Sequence, residues 1–159
     1  MKTRQLIIGL ILIVVGVLID QFTKLIVFKN LEMNKQYDSI PGFKIYPVRN
    51  DGAAFGIFAG RMWMLIIITL IAFAFFIYLM KDFDLVTKPI YSVALILIIS
   101  GTIGNFIDRI VDGSVRDFIK FSFWPSFAIF NIADICLTFG VILLSIDILF
   151  GETGIRWTN

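Results

Sequence analysis

Histidine is absent from this chain of 159 residues, and cysteine occurs only once, at Cys136. Without histidine, the sequence excludes Ser-His-Asp and Cys-His catalysis, as well as metal sites built on imidazole ligands. A single cysteine also excludes a disulfide within the chain. We therefore expect no metal and no other cofactor.

Charge is scarce too, because only 16% of the residues are charged and the formal net charge is +2. No basic run or acidic tail is present, so nucleic acid is not an expected partner. Apolar residues make up 58% of the chain before glycine is counted, against about 45–50% with glycine included in soluble domains. The length fits a single domain, which could not bury so much apolar surface in water. We therefore expect a membrane protein, with lipid around it.

Four apolar stretches predict an all-α membrane protein with four transmembrane helices, because each is close to the roughly 20 residues that cross a bilayer. They lie at about 6–28, 62–80, 89–107 and 127–150. The first follows Lys2 and Arg4, as in a signal peptide. No small-residue cleavage site comes after it, so we expect it to be retained as a helix.

Two longer polar segments follow the first and third stretches, and four spans would place both of them opposite the two termini. In the first, Phe43, Ile45 and the turn-like Asn50-Asp51-Gly52 predict a short β-hairpin. The side with these segments carries more lysine and arginine than the side with the termini. The positive-inside rule would put the termini outside, but several of these residues lie in segments with a functional pattern. The charge count therefore does not decide the orientation.

Ionisable residues inside a membrane span are costly and need a reason. Asp134 lies near the start of the fourth stretch, three residues after Asn131, so the two would share a helix face. The alternative is that both only hydrogen-bond between helices. Asp117 lies just before this stretch, and its alternative is a solvated loop carboxylate that pairs with Arg116 or Lys120.

The third stretch ends with Asn105, Asp108 and Arg109, whose spacing places them on one helix face. Their alternative is an interfacial pair between Asp108 and Arg109. Asp20 closes the apolar part of the first stretch, and Lys24 follows one turn later; an ion pair at the membrane surface is the alternative there.

The predicted topology brings seven polar residues to one membrane face, which packing alone explains poorly. They are Asp20, Asn50, Asn105, Arg109, Asp117, Asn131 and Asp134. Two carboxylates without histidine indicate an aspartic pair, in which one ionised acid activates water and the other, protonated, polarises a carbonyl. Gly52 either lets a substrate backbone approach or forms a tight turn. Asp147 lies about 20 Å further along the fourth helix, and we assign it no catalytic role.

Five motifs in this order resemble the lipoprotein signal peptidases, the signal peptidase II family. They are Asp20-Gln21-Phe22-Thr23-Lys24, Arg49-Asn50-Asp51-Gly52-Ala53-Ala54-Phe55-Gly56, Gly104-Asn105-Phe106-Ile107-Asp108-Arg109, Val115-Arg116-Asp117-Phe118 and Phe130-Asn131-Ile132-Ala133-Asp134. The resemblance implies that Asp117 and Asp134 are catalytic and that the chain is one peptidase domain, 1–159. It implies that the other matched polar residues bind substrate or support the site: Asp20, Asn50, Asn105, Arg109 and Asn131.

The resemblance also implies the substrate and the setting. Family members cut diacylglyceryl-modified prolipoproteins just before the lipidated cysteine, and globomycin inhibits them. Their termini are cytoplasmic, their site is at the outer face of the bacterial cytoplasmic membrane, and residues of about 36–58 match a small β-cradle. We expect a monomer, because one chain supplies every site residue.

Departures from the family pattern are few: Ser100 replaces a frequent glycine, Arg116 occupies a position that is often apolar, and the tail after Gly151 is short and lacks a basic cluster. Two other functions remain open from the residues alone. A small transporter or ion pathway would distribute its carboxylates through the bilayer, and a membrane scaffold would tolerate Asp117→Asn.

Overall fold

The computed structural model describes residues 2–52, 58 and 60–151. Its four long helices are each apolar enough to cross a membrane. Two strands follow the first helix and one follows the third, and together they form a three-stranded antiparallel sheet. The helices are α1 Lys2–Asn30, α2 Met62–Leu79, α3 Pro89–Asp112 and α4 Ile132–Phe150, and the strands are β1 Tyr37–Asp38, β2 Phe43–Asn50 and β3 Val115–Phe121. The predicted fold class, four membrane helices with a small sheet, is confirmed.

Helix α3 forms the centre of the bundle. In its apolar window 67% of the residues are buried inside the protein, against 6–17% in the other three helices, and it contacts all of them. Close approach to α4 depends on glycine: a Cβ atom at Gly101 would collide with the carbonyl oxygen of Ala133, and one at Gly140 would lie 3.0 Å from that of Ala94. Small residues at helix crossings are a common means of association in lipid.

The end of α3 and the start of α4 differ most from the prediction, and both differences position polar residues. Pro89 occupies the first turn of α3, where its missing N–H is not needed. The helix continues past 107 to Asp112, and Gly113, with φ of 64°, is its C-cap. Asp108 and Arg109 are therefore helical. Helix α4 begins only at Ile132, because Phe130 instead forms a β-bridge with Ile119.

The sheet differs from the predicted hairpin. A hairpin does form in the first polar segment, but β1 and β2 are joined by residues 39–42 rather than by Asn50-Asp51-Gly52. Asn50 is the last residue of β2, and Asp51 and Gly52 follow it. The second polar segment provides β3, which pairs with β2 from Phe43↔Phe121 to Asn50↔Val115. Asp117 thus lies on a strand rather than in a loop. Of the predicted cradle, residues 53–57 fall outside the described part of the chain.

Candidate active site

Asp117, in the middle of β3, and Asp134, in the first turn of α4, are held together by Asn131. The side-chain nitrogen Nδ2 of Asn131 donates to Asp117 Oδ1 at 2.7 Å, while its backbone N–H donates to Asp134 Oδ2 at 3.0 Å. Both carboxylates line one cleft of about 410 Å³. The structure therefore brings the two acids that the sequence singled out to one place.

Asn131 occupies this position because it is the N-cap of α4. Its Oδ1 accepts the backbone N–H of Asp134 at 3.0 Å, while the Asp134 carboxylate accepts the N–H of Asn131. This reciprocal pair is a capping box, in which both residues satisfy backbone donors at the helix start. The spacing of three residues, interpreted as a shared helix face, reflects instead a cap with extended backbone.

Two further asparagines complete the hydrogen bonding of the acids. Asn50 Nδ2 donates to Asp117 Oδ2 at 2.9 Å, and Asn105 Nδ2 donates to Asp134 Oδ1 at 2.8 Å. Each of the four carboxylate oxygens thus accepts an amide hydrogen from a residue of β2, α3 or the α4 cap. The backbone N–H of buried Gly52 donates to Asn50 Oδ1 at 3.0 Å, so Gly52 orients this amide.

Burial strongly affects the protonation of Asp117. Asp117 is only 2% exposed, and burial, together with the neighbouring charge of Asp134, raises the pKa of Asp117 to about 7, although amide hydrogen bonds from Asn50 and Asn131 oppose the rise. Two neighbouring like charges disfavour double ionisation, so retention of one proton by Asp117 is favoured below about pH 7.

Arg109 lines the same cleft and contributes its only basic side chain among the described residues. Its Nε atom is buried and has no hydrogen-bond partner within the described ranges, while its charge acts on Asp134 and Asp117. A singly ionised acid pair and one guanidinium sum to zero charge, which favours a buried site.

Lys24 and Asp20 form a buried layer beneath the acids. Lys24 is 0% exposed, and its Nζ lies 2.8 Å from Asp20 Oδ2, 3.1 Å from Asp108 Oδ2 and 3.0 Å from Asn105 Oδ1. The ion pair between Asp20 and Lys24 that the sequence offered as an alternative does form, but it is buried within the protein rather than exposed. Asp20 does not line the cleft; its Oδ1 accepts the N–H of Ala133 at 2.9 Å and so supports the start of α4.

Sequence reasoning missed the roles of Lys24, Gln21 and Arg116 in this layer. Arg116 lies 2.6 Å from Asp108 rather than pairing with Asp117, and Asp108 bonds to Arg116 and Lys24 rather than Arg109. Gln21 Nε2 donates to Asp108 Oδ1 at 3.1 Å. The available signal was polarity in an apolar helix, since Gln21 and Lys24 lie within one turn of Asp20, but their partners on α3 and β3 lie more than 80 residues away.

The remaining features of the sequence are Asp147, the end of the second motif and the question of a metal site. Asp147 is 5% exposed, does not line the cleft, and its Oδ2 has no hydrogen-bond partner in the described part of the chain. Ala53-Ala54-Phe55-Gly56 of the second motif lies outside the described residues. Within the described ranges, no group of three or more acidic or cysteine side chains is arranged to hold a metal.

Aromatic and aliphatic side chains form the walls of the cleft. Phe121 lies at the centre of a ring cluster, with centroids 5.3 Å from Phe43, 5.2 Å from Phe127 and 5.1 Å from Phe130. Leu137 of α4 adds to the apolar lining. An apolar cleft with a polar floor suits an extended peptide or a lipid-bearing ligand.

Comparison with known proteins gives consistent results. The family model for signal peptidase (SPase) II matches residues 12–150. A lipoprotein signal peptidase of Listeria monocytogenes serotype 4a (strain HCC23) is 43% identical over 129 residues, which cover 79% of this chain and 82% of the relative. One from Bacillus pumilus (strain SAFR-032) is 43% identical over 137 residues, or 85% and 88%. A solved bacterial membrane enzyme is similar with a TM-score of 0.83 and 36% identity, covering 95% of this chain and 93% of that one.

Proposed function

The chain belongs to the signal peptidase II family, and we propose that it is an aspartic endopeptidase that cuts diacylglyceryl-modified prolipoproteins just before the lipidated cysteine. The observation that carries the proposal is the contact of Asn131 with both Asp117 and Asp134. One residue thereby holds both acids beside the same cleft. The family itself supports the coarser statement, a multi-pass bacterial membrane peptidase of lipoproteins.

In the proposed mechanism Asp117 begins protonated and Asp134 ionised. The raised pKa of Asp117 favours its acid form, and Asp134 lies in the first turn of α4, where the helix dipole stabilises negative charge. Asp134 takes a proton from water, whose oxygen attacks the scissile carbonyl carbon, while Asp117 gives its proton to the carbonyl oxygen. The tetrahedral intermediate then collapses: the C–N bond breaks, Asp134 returns a proton to the leaving amine, and Asp117 recovers its own.

Arg109 and the cleft walls fit this chemistry. The buried Nε of Arg109, which has no partner in the described part of the chain, is available to donate to a substrate carbonyl. Phe121, Phe127 and Phe130 provide apolar surface for the residues and lipid beside the scissile bond. We further propose that both termini are cytoplasmic, that the cleft lies at the outer face, that the enzyme acts as a monomer in lipid, and that globomycin binds in this cleft.

The ion-pathway alternative lacks support from the arrangement of acids. Asp20, Asp108, Asp117 and Asp134 cluster at one end of the bundle. Asp147, the other buried acid within the described ranges, lies about 20 Å from Asp134 along α4. A relay through the bilayer would need titratable groups between these positions.

Cleavage of a defined substrate tests the proposed function. Purified enzyme in detergent is expected to convert a diacylglyceryl-prolipoprotein into signal peptide and a product that begins with the lipidated cysteine, as identified by mass spectrometry. The same precursor without the lipid is the matched control, and we expect it to react at least about 100-fold more slowly, because remote binding energy is lost. Equal rates for both precursors, or a cut at another bond, would contradict the proposal.

The pH dependence of that reaction follows from Asp117. Below pH 7 this carboxyl is protonated and the pair holds its proton; above pH 7 the proton is lost and both acids become ionised. We therefore expect kcat/KM to fall about tenfold per pH unit on the alkaline side, with a midpoint near pH 7. Initial rates from pH 5.5 to 9 check this, and a rate that still rises at pH 9 would exclude Asp117 as the acid.

A further inference from the structure

Arg116 directly precedes Asp117 on β3, and its side chain binds the buried layer beneath the acids. Its Nη2 atom donates to Asp108 Oδ1 at 2.6 Å and to Gln21 Oε1 at 2.7 Å, and its Nε atom donates to Asp108 Oδ1 at 3.2 Å. The guanidinium thereby joins β3 to both α1 and α3. A planar fork of donors makes such contacts directional, which a lysine ammonium does not.

The backbone of Arg116 is held as well. Its N–H donates to Asp108 Oδ2 at 2.9 Å, and its carbonyl oxygen accepts a longer contact of 3.4 Å from Asn131 Nδ2. The same nitrogen of Asn131 donates to Asp117 Oδ1. Residue 116 is therefore fixed between the end of α3 and the cap of α4, one residue from the acid.

The charges of this layer are balanced only when Arg116 is present. Asp108 lies 3.1 Å from Lys24 and 2.6 Å from Arg116, and Lys24 also pairs with Asp20 at 2.8 Å. Within the buried layer, two carboxylates and two cations sum to zero. The more exposed Asp112, 3.6 Å from Arg116 Nε, also pairs with Arg49 at 3.5 Å. Asp20 and Asp108 are at most 1% exposed, and an unbalanced charge at such depth is strongly unfavourable.

We propose that Arg116 is a positioning residue for peptide hydrolysis: its fork on Asp108 fixes β3 over α3 and so aligns the Asp117 carboxylate with Asn131 and Asp134. The inference rests on the proposed function, because it assigns Asp117 to the reaction. Consecutive Cα atoms are about 3.8 Å apart, so a small shift of residue 116 is passed to Asp117. Displacements of about 1 Å can cost 100-fold in rate.

The test compares Arg116→Lys, which keeps the charge but loses the fork, with Arg116→Met, which loses both. Lys120→Met is the matched control, because Lys120 lies on the same strand and face and contacts the Tyr46 ring, with its Nζ 5.1 Å from the ring centroid. For Arg116→Lys we expect kcat to fall about tenfold, with KM within twofold of wild type. Arg116→Met is expected to lose more, and Lys120→Met to match wild type.

The pH profile separates positioning from charge. The charged groups that face Asp117 are Asp134 on α4, Arg109 on α3 and Lys24 on α1, and all three remain in Arg116→Lys. If β3 loosens in Arg116→Lys, water reaches Asp117 and stabilises its ionised form. The midpoint of the alkaline fall in rate then moves to lower pH by about one unit, although no charge is removed. Loss of the cation alone would move the midpoint upwards in Arg116→Met and leave Arg116→Lys unchanged.

Several outcomes would overturn the inference. If Arg116→Lys has the kcat and the alkaline pH midpoint of wild type, the two guanidinium donors have no role in positioning. If its melting temperature is lower but kcat per folded enzyme is normal, Arg116 has only a structural role. The titration of the Asp117 carboxyl, followed by carbon-13 NMR and assigned with Asp117→Asn, keeps the test independent of turnover. A wild-type enzyme that does not cleave the lipidated precursor defeats the proposed function, whereas a shifted carboxyl titration would still support the positioning of Asp117.

Discussion

Asp117→Asn and Asp134→Asn are each expected to lower kcat/KM for the lipidated precursor by roughly 1,000-fold or more. An amide cannot take a proton from water at Asp134, and at Asp117 it cannot give a proton to the carbonyl oxygen. Because the two acids act as one unit, the double variant should be about as inactive as either single variant. Initial rates with purified protein, at matched folded concentration, measure the loss.

Asp147→Asn is the matched control for this experiment. Asp147 is a buried aspartate on the same helix as Asp134, but it lies outside the cleft. We expect it to retain wild-type activity, so that loss of a buried acid alone does not explain inactivity. Full activity in Asp117→Asn or in Asp134→Asn would rule out the proposed aspartic mechanism, while thermal unfolding of each variant shows whether the fold is intact.

Lys24→Met is expected to destabilise the folded protein by about 3–5 kcal/mol, the usual cost of removing one partner from a buried ion pair. Lys24 is fully buried, and its loss leaves Asp20 without its counter-charge, while Asp108 keeps only Arg116. The variant also removes one of the two donors to Asn105 Oδ1, leaving only Asn131 Nδ2 to orient the amide that contacts Asp134. Activity should therefore fall together with stability.

Lys35→Met provides the comparison at the surface. Lys35 pairs with Glu32 at 3.2 Å, but their side chains are 57% and 75% exposed, so this pair is worth at most about 1 kcal/mol. Reversible unfolding in mixed micelles measures both variants. Equal stability of Lys24→Met and Lys35→Met would contradict the assignment of Lys24 to a buried charge layer.

The membrane helices and the meeting of the acids were accessible from the sequence. Apolar runs near 20 residues predict spans directly, and the parity of four spans places Asp117 and Asp134 on the same side. The prediction worked at this level because hydrophobic length is a local property. Helix ends were less certain, since capping and β-pairing shifted the start of α4 to Ile132.

The contacts that organise the site were not accessible, because they depend on non-local pairing. Strand β3 forms against β2, about 70 residues earlier, and its seven residues alone have no clear alternation. Asn131 and Asp134 are three residues apart both in a capping box and on a helix face, so spacing does not distinguish the two. The contacts of Lys24 with Asn105 and Asp108 on α3 depend on how α1 packs against α3, which the sequence of either helix does not give.

Because of the capping box at Asn131, the start of α4 and the proposed catalytic pair depend on the same residue. The amide that terminates α4 is also the bridge between the two acids, so fraying of a single turn disassembles the reaction centre even when the rest of the bundle persists. Unwinding of that turn would therefore remove the link between Asp117 and Asp134 without global unfolding.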